Sequence, residues 1–498
     1  METKLLSSMK SLVITVISGL VVLLFSASGH PEAPAYENQV ESHSPTLKGR
    51  GGSIRPWKEN PSYWQYRGNP VLLLGASNND NLFQEKDCLE QLERLAAVGG
   101  NYIRNTMSDR DSGNVRAFAK NPDGKYDLEK WNEAYWNRFE GMLKRARKLG
   151  IIVQIEIWDR FDHTDNYSYN KAGDTRDLWQ EDPYNPGNNI NYKDEETNFA
   201  ERYDAHPGSN KHIFFLSVPE LQNCEPVLKY QQSFVLKLLS LTLKYDNVLY
   251  CLDNETSGKE EWATYWAKFL REHSEGKTIC ITEMWDDWNV TSDMHKRTID
   301  HPELYDFVDL SQNSHNTGHR NWTTVQAVLE NVRHYPRPVN STKVYGCDKG
   351  KWNERGINTD HAIRTVCRNI MGGFASSRFH RPYEGLGLSE PSLNCIRAIR
   401  EIEAYVKIWE LDVVSDLTTD EGMEAYLRSG EGKAFLLYLP MGGKVDLEIS
   451  DPQASYTLRW IDTDDAQWRD ESTVEDRSKI ELDSRGNRSC FALIVLKD

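Results

Sequence analysis

Acidic and amide side chains come directly after several strand-like runs of this sequence. Glu255 follows Asp253 and Asn254 at the end of the apolar run 247–254. Asp348 follows another short β-rich run nearly a hundred residues later. A pair of carboxylates, one acidic and one basic or nucleophilic, suits acid and base catalysis on a polyol such as a sugar. The pattern therefore predicts two-carboxylate chemistry that includes Glu255.

The second carboxylate of the pair is open among three residues. Asp348 is favoured because it would face Glu255 across the mouth of a closed barrel. Glu283, on the run 278–285, and Glu354 are the alternatives. The Asp side chain is one methylene shorter than Glu, so it would widen the gap and favour a water molecule between the groups, hence inversion. Each of these carboxylates could instead be salt-bridged on a loop.

Further side chains at the predicted strand ends are candidates for contact with a sugar. Trp158 and Trp285 offer flat faces for stacking, and His315 offers a hydrogen bond. Three basic groups follow the last strand-like run and could bind a carboxylate or sulfate on an acidic sugar: Arg378, His380 and Arg381. The alternatives are packing at the barrel rim and pairing with nearby acidic residues.

These residues need a scaffold that brings strand ends together, and the chain predicts one. Strand-like runs alternate with helical patterns: 71–77, 101–107, 151–158, 247–254, 278–285, 307–313, 343–347 and 373–379. Most runs are apolar throughout, which is typical of strands buried on both faces of a parallel sheet. Eight such units predict a (β/α)8 TIM barrel over 56–410, with catalytic groups at the carboxyl ends of its strands. A doubly wound sheet is disfavoured because no glycine-rich phosphate turn follows the first run.

From residue 411 to 498 the pattern changes to short β-runs separated by turn signals, without a long helical stripe. This pattern predicts a small all-β antiparallel sandwich. The sandwich could cover one side of the barrel or bind carbohydrate.

The amino-terminal segment and the composition limit where the protein is located and what it binds. Residues 1–28 carry lysines, an apolar run and small residues in the order of a signal peptide, and 29–55 resemble a linker. We therefore expect a secreted or periplasmic protein with no membrane attachment after cleavage. A net charge of −16 argues against nucleic acid as a partner. The eight cysteines lack a close CxxC spacing, so we expect buried free thiols and neither a metal site nor a cofactor. The oligomeric state is not predicted.

Three segments resemble the clan of retaining TIM-barrel glycosidases. Segment 250–255 is similar to the Asn-Glu pair that ends strand four, 101–104 to the strand-two Arg segment, and 344–350 to the segment that carries the strand-seven nucleophile. The opening 70–75 and the sandwich resemble most closely the apiosidase-like barrels with an appended collagen-binding-type β-sandwich.

The resemblance implies a glycoside hydrolase that acts on a poly- or oligosaccharide with retention. It implies that Glu255 is the acid/base, that Asn254 contacts the sugar 2-hydroxyl and that Arg104 orients the nucleophile. Asp348 then stands where the clan has a Glu, so Glu283 and Glu354 stay open as the second carboxylate and inversion stays open as the outcome. Two other functions stay open: a degenerate barrel that binds carbohydrate without cleaving it, and a polysaccharide lyase.

Overall fold

The computed structural model describes residues 52–168, 175–203, 210–417, 423–448, 454–469, 471–475 and 479–497. The predicted signal peptide and nearly all of the predicted linker lie outside the described residues. Among the described helices, none combines the length and the apolar character needed to cross a bilayer.

Eight parallel strands form the central sheet, and a helix follows each of them. The strands are β1 Leu73–Ala76, β2 Tyr102–Thr106, β3 Ile152–Asp159, β4 Val248–Asn254, β5 Ile281–Thr282, β6 Val308–Asp309, β7 Val339–Val344 and β8 Ser376–Phe379. The helices are α1 Cys88–Ala96, α2 Glu133–Leu149, α3 Glu225–Thr242, α4 Glu260–Glu272, α5 Asp293–Ile299, α6 His319–Val332, α7 Thr359–Gly372 and α8 Glu390–Glu403. The predicted TIM barrel is confirmed.

The sheet runs in the order β5-β4-β3-β2-β1-β8-β7-β6. Its two end strands come together at a hydrogen bond of 2.9 Å from the Asp306 amide to the Ile281 carbonyl. The neighbouring pair β1–β2 depends on Gly75, because a Cβ on this residue would lie 1.9 Å from the Tyr102 carbonyl oxygen. A glycine is therefore required for the two strands to meet.

Strand seven begins and ends earlier than the sequence predicts. The expected run 343–347 is wrong, since β7 covers Val339–Val344. Its polar residues are buried and bonded: Asn340 accepts from Trp64 Nε1 at 2.9 Å, and Thr342 donates to Asp309 at 2.8 Å. Because its buried polar groups are hydrogen-bonded inside the protein, such a strand contains polar residues and is not recognised as an apolar run in the sequence. The shift places Lys343 at the carboxyl end of the strand.

The carboxyl-terminal region forms the predicted antiparallel β-structure. Six strands pair in the order β9-β10-β11-β16-β13-β14, and β12 pairs with β15. Their bounds are β9 Asp412–Asp416, β10 Tyr426–Gly430, β11 Ala434–Leu439, β12 Lys444–Glu448, β13 Tyr456–Asp462, β14 Ser472–Val474, β15 Lys479–Asp483 and β16 Cys490–Leu496. Alternate residues of β12 and β15 are buried in the apolar core that the two sheets share.

One buried arginine ties this β-structure to the barrel. Arg428 of β10 donates to the carbonyls of Leu411 and of Ile370 on α7, and to the Tyr63 hydroxyl. A buried guanidinium that satisfies carbonyls of both parts makes their junction specific.

All eight cysteines are buried free thiols, as the sequence predicts.

Candidate active site

Glu255 lies directly after the carboxyl end of β4, which is the end of a TIM-barrel strand where catalytic groups are expected. Its backbone φ of 49° is in the left-handed region, which is uncommon for a residue other than glycine. Such a conformation costs on the order of 1 kcal/mol or more and persists only where the surroundings fix it. The side chain is about 15 % exposed. Glu255 is therefore a fixed carboxylate at the barrel mouth, open to solvent on a small part of its surface.

Lys343 of β7 holds the Glu255 carboxylate from the opposite side of the mouth. The Lys343 ammonium donates to Glu255 Oε1 at 2.8 Å and also to the Asn254 side-chain oxygen. Two residues further on, the Tyr345 hydroxyl donates to the same Glu255 oxygen at 3.1 Å. The Lys343 side chain is only 2 % exposed. Strand seven thus presents a cation, and not a carboxylate, to Glu255.

The charges around Glu255 keep it ionised. Burial alone would raise its pKa, but Lys343 and Arg160 lower the pKa of Glu255 to about 2. Arg160 Nη2 lies 3.9 Å from Glu255 Oε2 and donates to Asp286 Oδ2 at 2.8 Å. A general acid that works near neutral pH needs a raised pKa. These surroundings provide the opposite.

Asn254 and Arg104 are buried, and other side chains of the protein bind their polar groups. Asn254 Nδ2 donates to Asp159 at 2.8 Å, and its oxygen accepts from Arg104 Nη2 at 3.2 Å as well as from Lys343. Arg104 also pairs with Glu156 and with Asp80. Arg104 therefore positions the residue next to Glu255, whereas the contact of Asn254 with a sugar stays a prediction.

Glu283 lies beneath the mouth in a buried carboxyl pair with Asp253. Its Oε1 accepts from the backbone amides of Asp253 at 3.1 Å and Met284 at 2.8 Å, and Asp253 accepts from Trp262 Nε1 at 2.9 Å. Burial raises the pKa of Asp253 to about 7, and burial together with Asp253 raises the pKa of Glu283. Both residues are inaccessible to solvent, so Glu283 contacts no ligand in this arrangement.

The other two candidates for the second carboxylate lie on the surface. Asp348 is exposed and accepts a hydrogen bond of 3.1 Å from the backbone amide of Thr359. Glu354 is exposed at the end of the short helix Gly350–Glu354. Neither makes a described hydrogen bond or ion pair with Glu255. The role of Asp348 as a nucleophile stays a prediction without a contact that supports it.

The two predicted stacking tryptophans are buried. Trp158 packs against Phe214, Phe234, Trp262 and Trp266. Trp285 donates from Nε1 to Thr298 at 2.8 Å and has a guanidinium over its ring. Both rings are fully used in packing, which is the alternative that the sequence left open.

His315 belongs to an aromatic cluster beside Glu255. The sequence analysis predicts His315 as a candidate but does not predict the cluster. Its ring lies 5.3 Å from the Tyr345 ring and 5.1 Å from the Trp352 ring, and these two rings stack at 4.8 Å. Burial lowers the pKa of His315, so the imidazole is neutral near pH 7. The cluster forms a partly apolar wall next to the Glu255 carboxylate.

The basic groups of β8 and of the loop that follows it are bound by the protein itself. Arg378 is fully buried and donates to the Thr342 carbonyl at 2.8 Å, and burial lowers its pKa to about 10. Arg381 pairs with Asp80 and with Glu384 at 3.0 Å, and His380 lies 3.6 Å from Glu384. Arg381 and His380 thus lie beside acidic residues, as the alternative for these groups has it, whereas Arg378 bonds a backbone carbonyl and the Ser77 hydroxyl.

Lys343, Tyr345 and Arg160 are the functional residues that sequence reasoning missed. A correct register of β7 would have revealed Lys343 and Tyr345, because residues two apart in an extended chain lie on one face. Arg160 follows β3 directly, and its position was a usable signal. In the described part of the chain, no three metal-ligating side chains converge as a metal site requires.

Comparison with known proteins shows the fold. No protein-family model and no curated protein sequence matches this chain. A glycoside hydrolase family 5 protein from Bacteroides vulgatus is similar in structure, with a TM-score of 0.59 at 13% identity over 89% of this chain and 93% of that one. A second solved structure, described as a glycoside hydrolase, has a TM-score of 0.57 at 12% identity over 91% of this chain and all of its own. At such identities, the chain shares the architecture of glycoside hydrolases with a TIM barrel.

Proposed function

We propose that this chain binds a poly- or oligosaccharide at the carboxyl end of its barrel, around Glu255, and that Lys343 prevents cleavage by the two-carboxylate route. The observation that carries the proposal is the contact of 2.8 Å between the Lys343 ammonium and Glu255 Oε1. The signal peptide that the sequence predicts would make this a secreted or periplasmic carbohydrate-binding protein.

The chemistry of retention explains why the lysine matters. A retaining glycosidase needs an ionised nucleophile about 5–5.5 Å from a protonated acid. Here the group of strand seven that faces Glu255 is a cation, which cannot attack an anomeric carbon as a carboxylate does. With a pKa of about 2, Glu255 is ionised at pH 7. The acid that this route needs on strand four and the carboxylate that it needs on strand seven are therefore both missing from those two positions.

The same residues are well suited to binding. An ionised carboxylate accepts hydrogen bonds from sugar hydroxyls, and Glu255 keeps part of its surface open. His315, which is half-buried against the rings of Tyr345 and Trp352, adds apolar surface for the C–H face of a sugar ring. Few polar groups set in an apolar wall are typical of ligand sites.

A second candidate, hydrolysis, is favoured by one contact. Arg160 Nη2 touches both Asp286 Oδ2 at 2.8 Å and Glu255 Oε2 at 3.9 Å, so the two carboxylates lie no further apart than the sum of these distances. That separation is compatible with a catalytic pair around one sugar ring. Glu255 would then be the nucleophile or base, and Asp286 would be the acid.

The test compares the wild type with Lys343→Glu, Glu255→Gln and the double variant on cellulose, xylan, mannan and starch. We expect the wild type to bind at least one of these polysaccharides without releasing reducing ends. Lys343→Glu restores a carboxylate opposite Glu255, so it should gain hydrolysis that the double variant lacks. Lys343→Met is the folding control.

Hydrolysis by the wild type that Glu255→Gln abolishes would contradict the proposal. Loss in Asp286→Asn as well would then support the second candidate. Release of unsaturated products that absorb in the near ultraviolet would instead indicate a lyase.

A further inference from the structure

Two large aromatic side chains on the loops at the barrel mouth are open to solvent. Trp288 follows β5 and is 57% exposed, and Tyr383 follows β8 and is 53% exposed. Single exposed apolar residues are common on protein surfaces, so exposure alone means little. These two residues are candidates for ligand contact because hydrogen bonds connect both of their loops to residues next to Glu255.

The loop that carries Trp288 is fixed. The Arg320 guanidinium lies 5.5 Å from the centre of the Trp288 ring. Next to it, His295 Nε2 hydrogen-bonds the Asp287 carbonyl at 2.7 Å, and the Asp286 amide donates to the Thr256 carbonyl at 2.8 Å. Thr256 is the neighbour of Glu255. Trp288 is thus a solvent-exposed ring that is already held in place near the site. A ligand that binds it therefore loses little affinity to the entropy cost of immobilising this side chain.

The loop that carries Tyr383 joins the same site from the other side. The backbone carbonyl of Tyr383 accepts a hydrogen bond from the Cys347 thiol at 3.5 Å. Cys347 follows Tyr345, whose hydroxyl donates to Glu255. In the strand order, β8 lies four strands from β4, so Tyr383 rises across the mouth from Glu255, whereas Trp288 rises beside it.

We propose that Trp288 and Tyr383 are stacking platforms for two different rings of one extended saccharide chain, which crosses the mouth past Glu255. This inference rests on the proposed function and adds two residues that contact the chain and the path that the chain takes across the mouth. The C–H faces of sugar rings pack on aromatic faces while their hydroxyls stay hydrated.

The charges at the mouth favour a neutral chain. Lys343 pairs with Glu255, Arg160 with Asp286, and Arg104 with Glu156. Cations that protein carboxylates already neutralise offer little attraction to a sulfate or uronate group. The proposed ligand is therefore a neutral oligosaccharide.

The experiment measures binding of cellohexaose, xylohexaose, mannohexaose and maltohexaose, and of the matching disaccharides, by calorimetry. The variants are Trp288→Ala and Tyr383→Ala. The control is Tyr335→Ala, since Tyr335 is 63% exposed but precedes β7 and so lies at the other end of the barrel. Melting temperatures check that all variants fold.

We expect both platform variants to weaken binding of the hexasaccharide that the wild type binds by about 10-fold each, and the control to leave it unchanged. A disaccharide should lose affinity in at most one of the two, because it cannot reach both rings. Wild-type affinity for the hexasaccharide in both platform variants would overturn this inference and leave the proposed function standing. A wild type that binds no probe would overturn both.

Discussion

The ion pair between Lys343 and Glu255 should contribute measurably to folding, and its size follows from the structure. Burial opposes the charge of Glu255, yet its pKa falls from 4.5 to about 2 because Lys343 and Arg160 face the carboxylate. A shift of about 2.5 pH units corresponds to about 3 kcal/mol at neutral pH. Lys343, at 2.8 Å against 3.9 Å for Arg160, should supply the larger share. We expect a coupling of about 2 kcal/mol between Lys343 and Glu255.

A double-mutant cycle isolates this coupling. The free energy of unfolding in urea is measured at pH 7 for the wild type, Lys343→Met, Glu255→Gln and the double variant. Each single variant should lose about 2–3 kcal/mol because it leaves one buried partner uncompensated, and the double variant should lose less than their sum. A coupling below about 0.5 kcal/mol, the range of exposed pairs, would refute the argument that Lys343 restrains Glu255.

The pH dependence gives an independent measure of the same pair. A carboxyl whose pKa is lowered on folding stabilises the protein above its unfolded pKa of about 4.5, and this stabilisation is lost as the pH falls through about 2. The stability difference between the wild type and Lys343→Met should therefore shrink to about half at pH 3. A difference that stays constant from pH 7 to pH 3 would show that Glu255 is not held by Lys343.

Four further substitutions test the buried carboxyl pair and the fold. The pKa values of Asp253 and Glu283 are raised, so the folded protein keeps protons that the unfolded chain releases near pH 4.5. Stability should therefore fall as the pH rises above about 4.5, and the part of this decline that is due to Asp253 should end near pH 7. Glu283→Gln should flatten the decline in unfolding free energy between pH 5 and pH 8. Arg428→Met should cost about 3 kcal/mol in urea unfolding, because it leaves buried carbonyls unpaired where the barrel meets the sandwich. Gly75→Ala should destabilise the barrel by several kcal/mol and lower its melting temperature, whereas Gly141→Ala, in the exposed middle of α2 with no atom near its Cβ, should stabilise by about 0.5–1 kcal/mol.

Much of the scaffold could be predicted from the sequence, because buried parallel strands and amphipathic helices leave periodic apolar patterns. The runs 101–107, 151–158 and 247–254 lie within one or two residues of β2, β3 and β4. The apolar signal failed at β7, where Asn340 and Thr342 are buried but bonded to other polar groups. A strand that satisfies its polar groups internally leaves no apolar run.

The chemistry of Glu255 could not be predicted from its own motif, because the groups that set its charge come from other strands. Arg160 precedes it by nearly a hundred residues and Lys343 follows at a similar distance, and neither position was singled out as a site. An Asn-Glu pair at the end of β4 has the same local sequence whether the glutamate is a protonated acid or an ionised anchor. The residue that strand seven places opposite contributes most to this choice, since a cation there favours the carboxylate and a second carboxylate favours the acid. Exchanging that one residue, in Lys343→Glu, should therefore move Glu255 from one state to the other.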